Sequence, residues 1–175
     1  MKIIQDHKTL VLFISCMLCV QLLTAQKISI DGAVVRNATQ NLKGINTAVF
    51  YHFTEKFSGG FELTRFYTKT IATKSERNER SAWDIDLNFH YDIVKLKKFS
   101  LYPILGVGYN ELKEKNKQLN ESVYEKFWAI NTGAGIRLDA GILKPHIEYT
   151  TVWIDRLEHI FLAGISYEFG EKKNK

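Results

Sequence analysis

Trp83-Asp84-Ile85-Asp86-Leu87-Asn88-Phe89-His90-Tyr91-Asp92-Ile93 alternates without a fault for eleven residues. In an extended chain Trp83, Ile85, Leu87, Phe89, Tyr91 and Ile93 fall on one side, and Asp84, Asp86, Asn88, His90 and Asp92 on the other. A helical period would scatter both sets around an axis. The segment therefore reads as a strand with one apolar and one polar face.

Working outward from it, similar segments lie near 27–36, 43–54, 58–69, 100–112, 125–139, 142–153 and 159–169, making eight with 82–93. The connectors after the second, fourth and sixth are short (54–56, 94–98, 140–141), whereas those after the third and fifth (70–81, 113–124) are longer and heavily charged. Those after the first and seventh are brief and polar. Short turns at one end and charged loops at the other predict an all-β, up-and-down antiparallel barrel whose two ends meet different surroundings.

A water-soluble, lipocalin-like barrel would keep apolar side chains inside, and a membrane barrel inverts that arrangement. Aromatic placement favours the second. On the face taken as outward, the ends next to the longer loops hold Tyr67, Trp83, Tyr109, Trp128, Trp153 and Phe161. The opposite ends hold Phe53, Phe61, Tyr91, Tyr167 and Phe169. Amphipathic rings suit a membrane boundary. The inward face carries Asp31, Glu62, Asp84, Asp86, Asp92, Glu148 and Glu168 with Arg137, Lys144, His52, His90 and His146. So many ionisable groups would destabilise a dry soluble core but belong in the polar interior of a membrane barrel.

The chain has 175 residues, 45% apolar and 25% charged, a size for one domain plus a targeting segment. Lys2 and Lys8 precede an almost uncharged apolar run from Thr9 to Leu23, followed by Thr24-Ala25-Gln26. That layout predicts a secretory signal peptide cleaved after Ala25. At about 15 residues the run is shorter than the roughly 20 that a membrane-spanning helix needs. Being the single long apolar run, it also excludes a multi-span helical membrane protein. Cys16 and Cys19 both lie in this segment, and the residues before them fit a lipobox poorly, so the expected mature chain has no disulfide to rely on. Residues 26–170 form the expected barrel, and 171–175 a short basic tail.

At the C-terminal end the chain reads Leu162-Ala163-Gly164-Ile165-Ser166-Tyr167-Glu168-Phe169. Gly164, Tyr167 and Phe169 resemble the assembly signal on the last strand of bacterial outer-membrane barrels. With the export signal and strand count, the chain resembles the small eight-stranded OmpA/OmpX-like barrel family. The resemblance implies residence in a Gram-negative outer membrane and recognition of the last strand by the barrel-assembly machinery. Leu162 departs from the polar residue usual at the motif's start, and six residues follow Phe169.

Motifs for chemistry are few, and none calls for a cofactor. The Asp84/Asp86/His90/Asp92 stripe with Glu62 could make an oxygen-rich cation site, but alternate residues of one strand face stand roughly 6.5 Å apart. A salt-bridged filling of Glu62, Asp84, Asp86, His90, Asp92, Arg137, Lys144, His146, Glu148 and Glu168 is the preferred reading. A lipid-A-modifying enzyme would need a histidine beside a nucleophile, and Phe161, not serine, follows His159 by two. Gly106-Val107-Gly108 and Gly133-Ala134-Gly135 read as small inward residues making room for long neighbours, not as phosphate loops. Despite a net charge of +5, the basic residues form no nucleic-acid stripe. The loop lysines and arginines are expected to meet the phosphates of outer-leaflet lipid and lipopolysaccharide. An interior just wide enough for side chains disfavours a conducting pore. The expected role is therefore non-enzymatic: envelope integrity, surface interaction or adhesion through the charged loops.

Three residues strain the pattern. Arg65 falls on the lipid side, where either its side chain snorkels outward or a bulge at Gly59-Gly60 resets the register, and Pro103 and Pro145 lack ladder donors, which a bulge near each would accommodate. An Ala140-Gly141 turn predicts Arg137 opposite Lys144. A five-residue 154–158 loop predicts Lys144 opposite Glu168, so that Glu168 neutralises a base on the preceding strand.

Overall fold

The computed structural model describes residues 27–72, 77–119 and 121–169. The expected export segment and the basic tail lie outside the described residues. The strands are β1 (Lys27–Asn37), β2 (Leu42–His52), β3 (Phe57–Phe66), β4 (Lys69–Ala72), β5 (Arg77–Tyr91), β6 (Val94–Lys95), β7 (Phe99–Asn116), β8 (Glu121–Leu138), β9 (Leu143–Trp153) and β10 (Leu157–Phe169). β4 and β6 are short additions against β5 and β7. The other eight pair antiparallel with their neighbours in the order β5-β3-β2-β1-β10-β9-β8-β7, and β7 returns to β5 to close the barrel.

Closure has a measurable stagger. Direct partners from Lys27 run through His52, Ser58, His90, Ile104, Gly133, Thr150 and Ile160, and return to β1 at Asn37, ten residues from the start. That shear over eight strands sets a tilt of about 40°. A contour level with the barrel mouth must descend by the same stagger. It passes Trp83, Tyr109, Trp128, Trp153, His159 and Tyr67, with Phe161 one outward position lower. On β1 and β2 the corresponding positions are Arg36 and Lys43. From Trp83 down to Tyr91, eight residues of tilted strand cover a height of about 20 Å, close to the roughly 25 Å apolar band of a membrane barrel. Phe53, Phe57, Phe89, Tyr91, Tyr167 and Phe169 surround the lower rim, several of them stacked on one another. Phe61 stands three outward positions below Tyr67 and, by the same stagger, level with Phe89.

The strained residues need no bulges. Gly59 and Gly60 pair regularly with Tyr51 and Phe50 on one side and with Phe89 and Asn88 on the other. Arg65 opposes Trp83 and so lies just under the upper ring, where a cation costs far less than at the midplane. Pro103 lies one residue beyond the last β5–β7 pair, His90↔Ile104. Pro145 sits in the gap between Arg137↔His146 and the isolated bridge Ala140↔Leu143. Each proline thus stands where the ladder on one side is interrupted and no donor is needed.

Two turns correct the expected register. The bridge Ala140↔Leu143 leaves Gly141-Ile142 as the hairpin loop, with Gly141 at φ +90°. Hairpins favour glycine at the first loop position, and Ala140 there would carry a positive φ at steric cost. Arg137 therefore opposes His146 and not Lys144. At the other end Leu157 opposes Trp153, so the loop has three residues and not five, and Lys144 opposes Ser166. Both slips are by an even number of residues, so every side chain keeps its face.

The charged connectors are also largely strand. β4 pairs with Arg77–Arg80, and β7 and β8 stay paired from Phe99↔Leu138 up to Asn116↔Glu121. Both faces of these extensions are wet, so no apolar alternation marks them in the sequence.

Candidate functional site

Polar groups fill the lower and middle lumen, and an apolar layer closes its upper end. At the bottom, Arg137 Nη2 on β8 reaches across β7 and donates to both Asp92 oxygens, at 2.9 and 3.0 Å. Its guanidinium lies over the Tyr102 ring, 5.0 Å from the centroid. Tyr102 donates to Glu148 at 2.7 Å and stacks on His90, which also packs against Phe50. Lys144 meets Glu168 at 2.6 Å, diagonally across the β9–β10 ladder. His146 lies 3.3 Å from Asp31, and His52 3.0 Å from the Ser29 hydroxyl. These bonds satisfy most charges in a confined space, where an unpaired one would be expensive.

In the middle, amides partner the acids. Glu62 accepts from Asn88 at 2.8 Å and Asn46 at 3.2 Å, and Asp86 accepts from Asn131 at 2.7 Å. Glu62 and Asp86 oppose each other, and Asp84 lies between Thr64 and Asn110. Among the described residues no three His, Cys, Asp or Glu side chains are grouped so as to hold an ion. The inward glycines make this layer possible. A Cβ on Gly106 would collide with the Asn88 side chain and the Leu87 carbonyl, and one on Gly135 with the Tyr102 ring.

Above these layers Val35, Leu42, Phe66, Ala82 and Leu112, from five strands, pack into a buried apolar cluster joined by Ile160. Just beside it Glu158 accepts from Asn37 Nδ2 at 2.6 Å and Gln40 Nε2 at 2.5 Å. Cavities in the lower and upper lumen are about 10 Å³ each, room for about one water and for no larger solute.

The plug was not legible as a site, because each member is one apolar residue at an inward position on a different strand. Tyr102, Asn46, Asn131 and Glu158 were missed as network members for a related reason. The first three lie on strands that the sequence did predict, Glu158 falls in what reads as a loop, and nothing local said what any of them would meet. The one available signal was the facing small residue: Tyr102 opposes Gly135, and Asn88 and Asp86 oppose Gly106 and Gly108.

The outer surface is as apolar as the lumen is polar, with Trp128 73% and Phe61 66% exposed. His159 lies on this outer face, its Nδ1 2.8 Å from the Tyr149 hydroxyl. Of the assembly-signal residues, Tyr167 and Phe169 face outward, and Gly164 faces inward against Ala33 and His146.

Above the aromatic ring, β4, β5, β7 and β8 continue as a small sheet. β8 has no β9 partner above Ile130, which leaves one edge of this sheet open. Opposite charges hold it across the strands: Arg80 with Glu114, Lys117 with Glu79 at 2.6 Å, and Lys126 with Glu111 at 3.2 Å. Glu111 also accepts from the Trp83 indole at 3.0 Å. That bond, followed by Lys126, holds its carboxyl below the usual carboxylate range.

No protein-family model matches the chain, and no curated protein matches it by sequence. Solved structures do match in fold. The attachment invasion locus protein Ail of Yersinia pestis superposes with a TM-score of 0.54 at 16% identity, over 82% of this chain and 95% of that one. Neisserial surface protein A gives 0.61 at 9% identity, over 84% and 97%. A major outer membrane protein of Thermus thermophilus gives 0.67 at 10% identity, over 83% and 100%. With a closed, staggered, eight-stranded antiparallel sheet that is apolar outside and polar within, the chain has the fold of the small outer-membrane β-barrels.

Proposed function

We propose that the protein resides in an outer membrane, with the barrel as anchor, and acts at the cell surface through its projecting hairpins rather than by conduction or catalysis. The observation that carries this reading is the contrast between the two ends of β7 and β8. Inside the band the lumen is filled and capped by Leu42, Phe66 and Leu112. Outside it the same strands run on as a charged sheet with an open edge. A filled lumen leaves nothing to conduct, whereas roughly 17 Å of strand from Glu111 to Asn116 is set beyond the upper ring.

The test expresses the full chain in a Gram-negative host. Recovery with outer membrane, and a gel mobility that changes on boiling, are the expected results. Recovery in the soluble periplasmic fraction would favour a lipocalin-like barrel instead. Purified protein in planar bilayers should give no large stable conductance, and open channels of porin size would refute the sealed lumen. Replacing 113–124 by a short turn should leave the barrel folded and reduce adhesion or surface association of the cells. Unchanged adhesion with a folded barrel would remove the hairpins from the function.

A further inference from the structure

The lipid-facing surface is not uniform. A trough of about 810 Å³ runs obliquely from the upper ends of β1 and β2 across β10, β9 and β8 toward Leu101 on β7. Ala163 and Ala134 keep it shallow-floored, and Val34, Phe161, Tyr149 and Ile147 wall it. Its path crosses about five strand spacings, on the order of 20 Å. That exceeds the roughly 15 Å that one leaflet contributes to a 30 Å hydrocarbon core.

Arg36 and Lys43 stand at the extracellular end of this trough. They are direct partners on β1 and β2, an arrangement of like charges that is unfavourable by itself. Arg65 is diagonal to Lys43, through the Ile45↔Arg65 pair. All three side chains are exposed, and none makes an ion pair among the described residues. The outward positions of β1, β2, β3, β9 and β10 include no Asp or Glu. Three unneutralised cations thus gather at headgroup depth: Arg36 and Lys43 take ring positions that aromatic residues hold elsewhere, and Arg65 lies one outward position below the ring.

We infer that Arg36, Lys43 and Arg65, with the trough beside them, form a docking site for a phosphorylated, acylated lipid of the outer leaflet. The phosphate lies among the three bases and one acyl chain lies along Ala163 and Ala134. The inference rests on the outer-membrane reading above and deepens it. Charge complementarity selects the head, since among the described residues the outward faces of the surrounding strands offer the cations no anion. The trough selects a chain, since its walls are almost wholly hydrocarbon. Together they favour one lipid held in place over a diffuse attraction to membrane charge.

The experiment titrates the detergent-solubilised full chain with diphosphoryl lipid A and counts bound lipid by native mass spectrometry. Parallel titrations use the dephosphorylated lipid and inorganic phosphate. Each base changed to glutamine should weaken binding about fivefold, and Arg36→Gln/Lys43→Gln/Arg65→Gln together roughly a hundredfold. Ala134→Phe, which fills the trough and leaves every charge, should weaken it about tenfold. Inorganic phosphate in millimolar excess should not compete. Gel mobility before and after boiling confirms that each variant is folded, and Lys43→Arg serves as a folded variant that keeps the charge. Equal binding of the dephosphorylated lipid, or an unchanged triple variant, would overturn the site. So would an unchanged Ala134→Phe, because charge attraction alone would then suffice. A chain recovered outside the outer membrane sinks the underlying reading, and the lipid titration is scored separately from that result.

Discussion

Removing one member of the Arg137–Asp92 pair should destabilise the barrel more than removing both. The two side chains are 14% and 6% exposed, and one guanidinium nitrogen serves both carboxylate oxygens. In Asp92→Asn the cation keeps one acceptor and its place over Tyr102, so the cost should be about 2 kcal/mol. Arg137→Met strands a buried carboxylate and also removes the cation–π contact, so about 3–4 kcal/mol is expected, a shift of two orders of magnitude or more in the unfolding equilibrium. In the double variant neither charge is left alone, and the loss should fall to about 1–2 kcal/mol. The pair's coupling would then be about 3–5 kcal/mol. Urea unfolding in phospholipid vesicles measures all three, followed by the emission of tryptophans such as Trp128 on the lipid face. An unchanged dependence on urea would show that the folded and unfolded ensembles are otherwise the same. Additivity of the single effects to within about 0.5 kcal/mol would refute the pairing.

Glu168→Gln should lower the thermal unfolding point, and Lys144→Met made with it should restore most of the loss, because each charge is the other's hydrogen-bonded partner at 2.6 Å. A double variant worse than the sum would reject that. Gly135→Ala should cost about 1–3 kcal/mol by driving a methyl group into the Tyr102 ring, and Tyr102→Leu in the same chain should relieve it; no loss in the single variant would contradict the packing. The projecting sheet should loosen in acid. Glu111 is held below its ordinary value of 4.5, so its contribution is present above that pH and is lost as pH falls through its lowered value. Hydrogen exchange of amides near Glu111 and Lys126 should quicken over that range in the native chain but not in Glu111→Gln.

The alternation from Trp83 to Ile93 by itself determined a strand, its two faces and the side chains each would carry. The reason is local: successive side chains of an extended backbone point to opposite sides whatever the partner. Aromatic residues at both ends of the apolar faces then marked those faces as the outward ones. Partners were another matter. That Arg137 finds Asp92 across β7, and not an acid on the adjoining strand, depends on Gly141 taking the positive φ of its turn and on a ten-residue stagger that appears only when β1 meets β10. The apolar plug was likewise decided by the sheet as a whole, since Val35, Leu42, Phe66, Ala82 and Leu112 come from five strands whose inward faces converge only when the sheet curls into a barrel. The unpaired bases Arg36, Lys43 and Arg65 became a cluster through the register of two consecutive hairpins, β1–β2 and β2–β3. Periodicity is a property of one segment, whereas register and stagger belong to the whole sheet and are settled by its turns and its closure.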